Sequence, residues 1–214
     1  MASIKVLKNG TVISYDDATE RVKVLHQTTI VIKAGKIASI GQDLPTLPPD
    51  AEVLDVTGHI LTPGFVNTHS HMWPTALRTL APNATLAEYF ADFSQNSPTV
   101  KLFGRGDVRT SCLAGYLEGI NGGVTAYVEH AHSNWNIDAV REGYEAAVDS
   151  GARVWWCQAV EDREEVSAEE QYAYIRSLRE ERADEGRLVS AGIAWDGFGF
   201  ADEEAVRQKV NLIK

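Results

Sequence analysis

The sequence has few cysteines and no long apolar run. Its 214 residues include two cysteines, Cys112 and Cys157, which lie too far apart to form a CxxC pair. We therefore expect neither a disulfide framework nor a thiolate metal site, and we expect a reducing, cytoplasmic location. No segment approaches the roughly 20 apolar residues that cross a bilayer, and residues 1–6 lack the apolar core of a secretory signal. No membrane partner is expected.

Basic residues are also in deficit. The chain carries 20 Lys and Arg against 30 Asp and Glu, which gives a formal net charge of −10 at pH 7. Proteins that bind nucleic acid normally present a basic face, so no nucleic-acid partner is expected. With 44% hydrophobic and 23% charged residues, the composition is that of a globular protein, and a small-molecule substrate remains open.

Residues 1–62 contain short β-branched runs that are separated by turn residues. The segments 4–7 and 11–14 flank Asn9-Gly10, which predicts a turn between two strands. Further runs of the same kind occupy 28–32 and 36–40. Short strands at regular spacing are typical of a β-sandwich or a meander. We predict a small β-sandwich segment over residues 1–62.

Residues 63–214 show a different pattern, in which apolar strands alternate with amphipathic helices. Four strands are predicted, and they begin at Phe65, Val124, Ala152 and Leu188. Helical spacing of apolar residues follows them, as with Ile137, Val140 and Tyr144 after the second strand. Repeated βα units with apolar strands predict a parallel sheet covered by helices. The expected class is therefore α/β, with about four βα units.

Two histidine pairs come directly after predicted strands. His69 and His71 follow the first strand, and His130 and His132 follow the second. Residues i and i+2 of an extended chain point to the same face, so each pair presents two imidazoles side by side. The carboxyl ends of parallel strands are where α/β folds place their active sites. Because neutral imidazole binds Zn, Fe, Ni or Cu, the two pairs together predict a metal site.

The segment LTPGFVNTHSHMW at residues 61–73 closely resembles the first-strand signature of the amidohydrolase superfamily. The resemblance is strongest to the branch of cytosine deaminases, chlorohydrolases and related metal-dependent hydrolases. The segments KNGTV at 8–12, DVTG at 55–58 and GGVTAYVEH at 122–130 are similar to other parts of that branch. The resemblance thus extends through most of the chain.

This resemblance implies a (β/α)₈ barrel and a β-sandwich built partly from the N-terminal segment. For residues 63–214 it implies the first half of such a barrel. It also implies a divalent metal, zinc or iron, held in part by His69 and His71. Such a metal activates water for attack on a ring or amide carbon, with loss of ammonia, chloride or an amine. His130 and His132 are predicted as further ligands from their spacing alone.

Four other residues are candidates for the same site. Asp196 follows the fourth strand and is a candidate catalytic acid–base group or substitute ligand, with a capping or turn role as the alternative. Glu129 is a candidate general base, although its strand parity turns it away from His130 and favours a structural salt bridge. Trp73 and Trp135 are candidates to wall a pocket for a flat substrate, or else to pack in the core.

The length predicts an incomplete barrel. A complete barrel takes about 250 residues, and about 150 follow the first segment here. The resemblance assigns a ligand histidine to the fifth strand, a proton-transferring histidine to the sixth and an aspartate to the eighth. No histidine follows His132. We therefore expect a truncated, metal-dependent hydrolase of C–N or C–Cl bonds in a small, cyclic substrate.

Three interpretations of the short chain remain open. In the first, it is a fragment or a truncated gene product that lacks ligands and is inactive by itself. In the second, open edge strands pair with a further chain, most simply in a C₂ homodimer, and close a composite barrel. Such an assembly would catalyse hydrolysis or a lyase, isomerase or cyclase reaction. In the third, the chain is a non-catalytic protein that binds a ligand or a partner.

Overall fold

The computed structural model describes residues 4–42, 46–180 and 186–213. The chain separates into two compact units, Met1–Pro63 and Gly64–Lys214. None of the described helices combines the length and the apolar character that crossing a membrane requires.

In the first unit, the described residues form one five-stranded sheet. Its strands are β1 (Ile4–Asp16), β2 (Arg21–Lys33), β3 (Lys36–Gly41), β4 (Glu52–Asp55) and β5 (Ile60–Leu61). β1 pairs antiparallel with β2 on one side and parallel with β4 and β5 on the other. β3 extends the sheet by pairing antiparallel with β2. The second layer that a sandwich requires is not among the described residues of this unit.

The turn predicted at Asn9-Gly10 is wrong. β1 runs through both residues as one long strand, and its pairing with β2 is irregular on either side of Gly10. Asn9 has a φ of 67°, so the local signal produces a bulge in the strand rather than a reversal of the chain. A Cβ at Gly10 would lie 2.9 Å from the Cδ1 atom of Leu61, and the close approach of β5 therefore explains the glycine.

In the second unit, the described strands form a parallel sheet in the order β6-β7-β8-β9. The strands are β6 (Phe65–Ser70), β7 (Val124–Ala131), β8 (Arg153–Ala159) and β9 (Val189–Ala194). The helices are α1 (Leu86–Asp92), α2 (Asp107–Asn121), α3 (Ile137–Asp149), α4 (Ala168–Glu180) and α5 (Glu203–Ile213). The predicted α/β class with a parallel sheet is confirmed.

Helices α2, α3 and α4 pack on β7, β8 and β9 and bury one face of this sheet. Helix α3 begins after its cap Asn136, whose side chain accepts the N–H of Ala139 at 2.8 Å. The apolar spacing that predicts this helix places Val140 and Tyr144 in the core. The Tyr144 ring packs edge-on against Trp156, with the centroids 5.3 Å apart. The core of the unit thus lies between the sheet and these helices.

The other face of the same sheet carries exposed apolar side chains. Trp156 has no exposed surface, whereas the adjacent Trp155 is 47% exposed on the opposite face. Val128 is the register partner of Trp155 and shares its face, and Val66 of β6 is also exposed. Parallel sheets are normally covered on both faces. The described part of the chain leaves apolar groups of this second face in solvent.

The adjacent tryptophans allow a matched test of this difference. Trp156→Ala is expected to lower the free energy of unfolding by about 3–5 kcal/mol, because removal of a large buried ring leaves a cavity. Trp155→Ala is the control and is expected to cost less than about 1 kcal/mol, because its ring is half-exposed. Denaturant titration followed by circular dichroism measures both values. Equal losses in the two variants would contradict one-sided burial.

Candidate functional site

The four predicted histidines lie together at the carboxyl ends of β6 and β7. His69 and His130 are within these strands, and the other two follow directly after the strand ends. His71 is at the centre of the group, with its ring centroid 4.7 Å from that of His69. The same centroid is 5.4 Å from His130 and 4.5 Å from His132. The i, i+2 spacing and the pairing of neighbouring strands therefore bring four imidazoles into one cluster.

His71 has a defined tautomer. Its Nδ1–H donates to the backbone carbonyl of His130 at 2.9 Å, since a carbonyl oxygen can only accept. Burial lowers the pKa of His71, and this hydrogen bond offsets part of that effect. The ring is therefore neutral at neutral pH, and its Nε2 atom carries a lone pair.

The Nε2 atoms of His69 and His71 are 3.1 Å apart. This distance suits a hydrogen bond when His69 carries its proton on Nε2. It also fits two ligands of one metal ion. Metal–nitrogen bonds of about 2.0–2.1 Å place the two nitrogens roughly 2.9–3.4 Å apart, for bond angles between about 90° and the tetrahedral value. The two imidazoles thus form a donor pair that a divalent metal accepts.

Two imidazoles do not complete a metal site. Among the described residues, no group of three or more His, Cys, Asp or Glu side chains is arranged to hold a metal ion. Catalytic zinc sites use three protein ligands and keep one position open, and structural zinc sites use four. A metal bound to His69 and His71 therefore needs at least one ligand beyond this pair.

His132 is occupied by a different interaction. The buried indole Nε1–H of Trp73 donates to its Nδ1 atom at 2.9 Å. Burial, ahead of the nearby charges of His71 and His130, lowers the pKa of His132 to about 3. The ring is therefore neutral, with its proton on Nε2, and neither nitrogen offers a free lone pair. This arrangement does not agree with the prediction of His132 as a metal ligand.

Trp73 lies in the core of the second unit. It is 1% exposed, and its ring packs edge-on against Phe103 and Trp135 with centroids 5.5 and 5.2 Å away. The physical reason is the short 3₁₀ helix Trp73–Leu77, which follows β6 and turns the indole into the core. The prediction of Trp73 as a substrate wall does not agree with this burial.

Asp196, the candidate at the end of the fourth strand, lies beside His130. It opens the 3₁₀ helix Asp196–Gly199 shortly after β9, and its Oδ2 atom is 3.3 Å from the Nε2 atom of His130. The Asp196 side chain is 58% exposed, so solvent or a small molecule can reach the carboxylate. A carboxylate beside an imidazole can orient the ring and can hold or pass a proton.

Glu129 lies on the opposite face of β7 from His130. It is 1% exposed, and the hydroxyl of Tyr116 in α2 donates to its Oε2 atom. Burial raises the pKa of Glu129 to about 7, with the Tyr116 hydrogen bond acting against this rise. As its strand parity indicates, the carboxylate points away from the histidine cluster. The prediction of Glu129 as a general base for a substrate does not agree with this position.

Trp135 lines a cavity of about 670 Å³ among the loops that follow β6, β7 and β8. Its ring and that of Phe103, with centroids 5.6 Å apart and planes at 59° to each other, form an apolar part of the lining. Asn96, Lys101 and Arg163 add polar groups to the lining. The position of Trp135 suits the predicted contact with a flat substrate. Phe103 and Arg163 could not be predicted from the sequence as lining residues. Both lie in loops after strands, and neither belongs to a recognisable motif.

Comparison with known proteins extends these observations. No family model matches the chain. It is similar to the 5-methylthioadenosine/S-adenosylhomocysteine deaminase of Thermococcus sibiricus, with 36% identity over 138 residues. It is also similar to the 5'-deoxyadenosine deaminase of Methanosarcina mazei, with 33% identity over 129 residues. The matched segments cover 64% and 60% of this chain, but only 30% and 28% of those relatives.

A solved structure shares the fold. It is a variant of atrazine chlorohydrolase from Arthrobacter aurescens TC1, complexed with zinc and atraton, at a TM-score of 0.78 and 22% identity. The superposition covers 94% of this chain and 48% of the chlorohydrolase chain. The sequence similarity to the two deaminases confirms the predicted resemblance to the amidohydrolase superfamily, and this neighbour shows that the fold is shared. The matched part of the chain thus spans less than a third of the length of the two deaminases and about half of the chlorohydrolase.

The neutral state of His132 makes stability depend on pH. The pKa of His132 is about 3 in the folded chain against an ordinary value of 6.5, so below pH 6.5 the unfolded chain binds a proton that the folded chain does not. Stability is therefore expected to fall as the pH falls from 6.5 towards 3, by at most about 1.4 kcal/mol per pH unit from this group.

The variant that tests this expectation is His132→Asn, because its Oδ1 atom can still accept from Trp73 while the group no longer titrates. The pH slope of the unfolding free energy is expected to become shallower in this variant. His59→Asn, at an exposed position of the first unit, is the control and should keep the slope. Denaturant titrations between pH 7 and 4 measure the slopes, and an unchanged slope in His132→Asn would contradict the assignment.

Proposed function

We propose that this chain carries part of the active centre of a metal-dependent hydrolase of the amidohydrolase superfamily. The reaction cleaves a C–N or C–Cl bond in a small, cyclic substrate. The observation that carries the proposal is the pair of Nε2 atoms of His69 and His71, 3.1 Å apart at a strand end. The deaminases and the chlorohydrolase to which the chain is similar support the same class of reaction.

His69 and His71 would hold a divalent ion in this proposal. Imidazole ligands suit both zinc and iron, and the zinc in the similar chlorohydrolase structure favours zinc as the first metal to test. When bound, the ion supplies the Lewis acidity that makes water a nucleophile near neutral pH. The tautomer of His71 fits this role, because its Nδ1–H is bonded to the carbonyl of His130 and its Nε2 lone pair remains available.

His130 and Asp196 supply the proton chemistry in this proposal. Their Nε2–Oδ2 distance of 3.3 Å allows Asp196 to accept the proton on the Nε2 atom of His130. Because the carboxylate is more than half exposed, it can also exchange a proton with a substrate nitrogen. His130 would therefore have two roles. Its backbone carbonyl accepts the Nδ1–H of His71, and its ring nitrogen Nε2 contacts the carboxylate of Asp196.

The cavity beside Trp135 is the proposed binding place for the ring of the substrate. The Trp135 and Phe103 rings offer an apolar surface for a flat heterocycle, and Asn96 and Arg163 offer hydrogen-bonding groups at its edge. The two curated relatives are named for deaminating 5-methylthioadenosine, S-adenosylhomocysteine and 5'-deoxyadenosine. A purine nucleoside is therefore the first class of substrate to test.

The parallel sheet is proposed to be part of a (β/α) barrel of about four βα units, preceded by a sandwich segment. Trp155 and Val66 leave apolar surface on the open face, and the metal pair needs at least one more ligand. A second polypeptide that adds strands to this sheet would meet both needs. We propose a C₂ homodimer as the simplest such assembly, because a two-fold axis along the barrel would set the β9 edge of each copy beside the β6 edge of the other.

One experiment tests both zinc binding and dimer formation. After incubation with zinc, the purified chain is expected to retain zinc by elemental analysis and to have the mass of a dimer by light scattering. His69→Ala/His71→Ala is expected to bind zinc at least about tenfold more weakly, since both ligands are lost. His59→Ala removes an exposed histidine elsewhere and should leave binding unchanged. A zinc-free monomer, or a double variant that keeps its zinc, would refute the metal centre.

The zinc-loaded chain is expected to release ammonia from 5-methylthioadenosine, or chloride from a chlorinated triazine. Asp196→Asn is expected to lower this rate by about 100-fold, because the amide cannot exchange a proton. Asp138→Asn, an exposed change in the first turn of α3, is the control and should keep the rate. If the wild-type dimer holds zinc but releases neither product, the result would contradict the hydrolase proposal and favour a lyase, isomerase, cyclase or binding role.

A further inference from the structure

Lys209 of α5 is a cation that the proposed chemistry does not use. Its ammonium group donates a hydrogen bond to the hydroxyl of Tyr172 in α4 and lies 4.9 Å from the centroid of that ring. The same Nζ atom is 5.7 Å from the ring centroid of Trp195, which directly follows β9. Both distances are within the roughly 6 Å over which an aromatic face attracts a cation. Lys209 therefore joins α5 both to α4 and to the end of β9.

The Trp195 indole also packs on the backbone that follows it. A Cβ at Gly197 would lie 2.4 Å from the Cε2 atom of the indole and 2.5 Å from its Nε1 atom, so the ring occupies the space of a side chain there. The φ of Gly197 is not positive, so the ring rather than the backbone conformation requires the glycine. Asp196 lies between these two residues, and the contact between its neighbours closes a compact turn around it.

Asp196 lies at an edge of the sheet, where strand pairing gives it little support. β9 is the last strand of the described sheet and pairs there with β8 alone. The 3₁₀ helix Asp196–Gly199 begins without a side-chain cap, and the Asp196 side chain is 58% exposed. The 3.3 Å contact of its Oδ2 atom with His130 therefore depends on how the backbone after β9 is held.

We infer that Lys209 is a positioning residue that holds Asp196 beside His130. Tyr172 is the anchor, because it is 7% exposed and belongs to the core of the second unit. Lys209 links this anchor to the Trp195 ring, and the ring in turn sets the course of the backbone through Asp196. Only the part that Asp196 takes in proton exchange rests on the proposed function, and the contacts themselves need no metal.

The first experiment uses the metal-free chain and reports the tautomer of His130. Long-range ¹⁵N–¹H spectra of the histidine side chains, recorded at about pH 8, show which nitrogen carries the proton, and a His130→Ala spectrum assigns the signal. Wild type is expected to carry the proton on Nε2, because the Asp196 carboxylate accepts from that atom. Lys209→Ala is expected to show a mixture of both tautomers. Lys209→Arg is expected to restore the single tautomer, because a guanidinium can also donate to the Tyr172 hydroxyl and stack on aromatic rings.

Two glycines of the 3₁₀ helix give a matched test of the ring contact. Gly197→Ala places a methyl group against the Trp195 indole, and it is expected to displace the ring from Lys209 and to produce the same tautomer mixture. Gly199→Ala is the control, because the space beside Gly199 is open and its φ is not positive either. The control should keep the wild-type signal. Equal mixtures in the two glycine variants, or a wild-type signal in both, would overturn the role of the ring.

A control in the same helix separates positioning from general stability. Arg207 pairs with Glu203 on the exposed surface of α5, and Arg207→Ala is expected to keep the His130 signal even where it lowers the melting temperature. If Lys209→Ala does not fold, Tyr172→Phe keeps the ring, removes the hydroxyl and is expected to give a partial mixture. A single Nε2 tautomer in folded Lys209→Ala or Tyr172→Phe, or failure of folded Lys209→Arg to restore it, would overturn the inference.

The rate of ammonia release by the zinc-loaded dimer supplies the second readout. Lys209→Ala is expected to lower kcat by about tenfold with KM nearly unchanged, because it displaces a proton-transfer group and leaves the lining of the cavity intact. Added to Asp196→Asn, the same change is expected to cost nothing further, because the group that Lys209 positions is already lost. Fully additive losses would overturn the link between Lys209 and Asp196. An inactive wild type would refute the proposed function, while the tautomer spectra would still decide the positioning role.

Discussion

The alternation of side chains along β7 is the constraint on which the site depends. Successive residues of a strand point to opposite faces, so His130 lies with the histidine cluster while Glu129 is buried against α2. The backbone of the same stretch offers the carbonyls that accept from Ser70 and His71. A shift of one residue in register would bury the imidazole and expose the carboxylate. The parallel pairing of β7 with β6 and β8 prevents such a shift, and the sheet thereby positions the site.

Burial and hydrogen bonding then decide which atoms of the cluster are chemically available. His71 and His132 stay uncharged because an imidazolium would lose its hydration in these surroundings. The hydrogen bonds select the nitrogen that remains free. A backbone carbonyl takes the Nδ1–H of His71 and leaves the Nε2 lone pair, whereas the indole of Trp73 takes the Nδ1 lone pair of His132. Two residues with the same i, i+2 pattern therefore differ in what they can bind.

The features that follow from local pattern could be predicted from the sequence. Strand ends, helix faces and the meeting of the histidine pairs depend on periodicity and on the parallel pairing of neighbouring βα units. The burial of Trp73 could not be predicted, because it depends on rings brought in from distant loops, Phe103 and Trp135. The Asn9-Gly10 signal failed for a similar reason, since pairing of the long strands β1 and β2 outweighed a two-residue turn preference.

Two separate demands converge on the open face of the parallel sheet. One is hydrophobic, because exposed apolar groups such as Trp155 and Val66 gain about 25 cal/mol for each Å² removed from water. The other is coordination, because His69 and His71 supply fewer ligands than a catalytic metal requires. In the proposed dimer, strands that extend the sheet and curve over this face would meet the first demand. The residues at the ends of those added strands would lie at the same end of the sheet as His69 and His71, and they would supply the missing metal ligands. A metal that binds the assembled form more tightly than the separate chains also favours assembly by mass action, so metal affinity and dimer stability become one linked equilibrium.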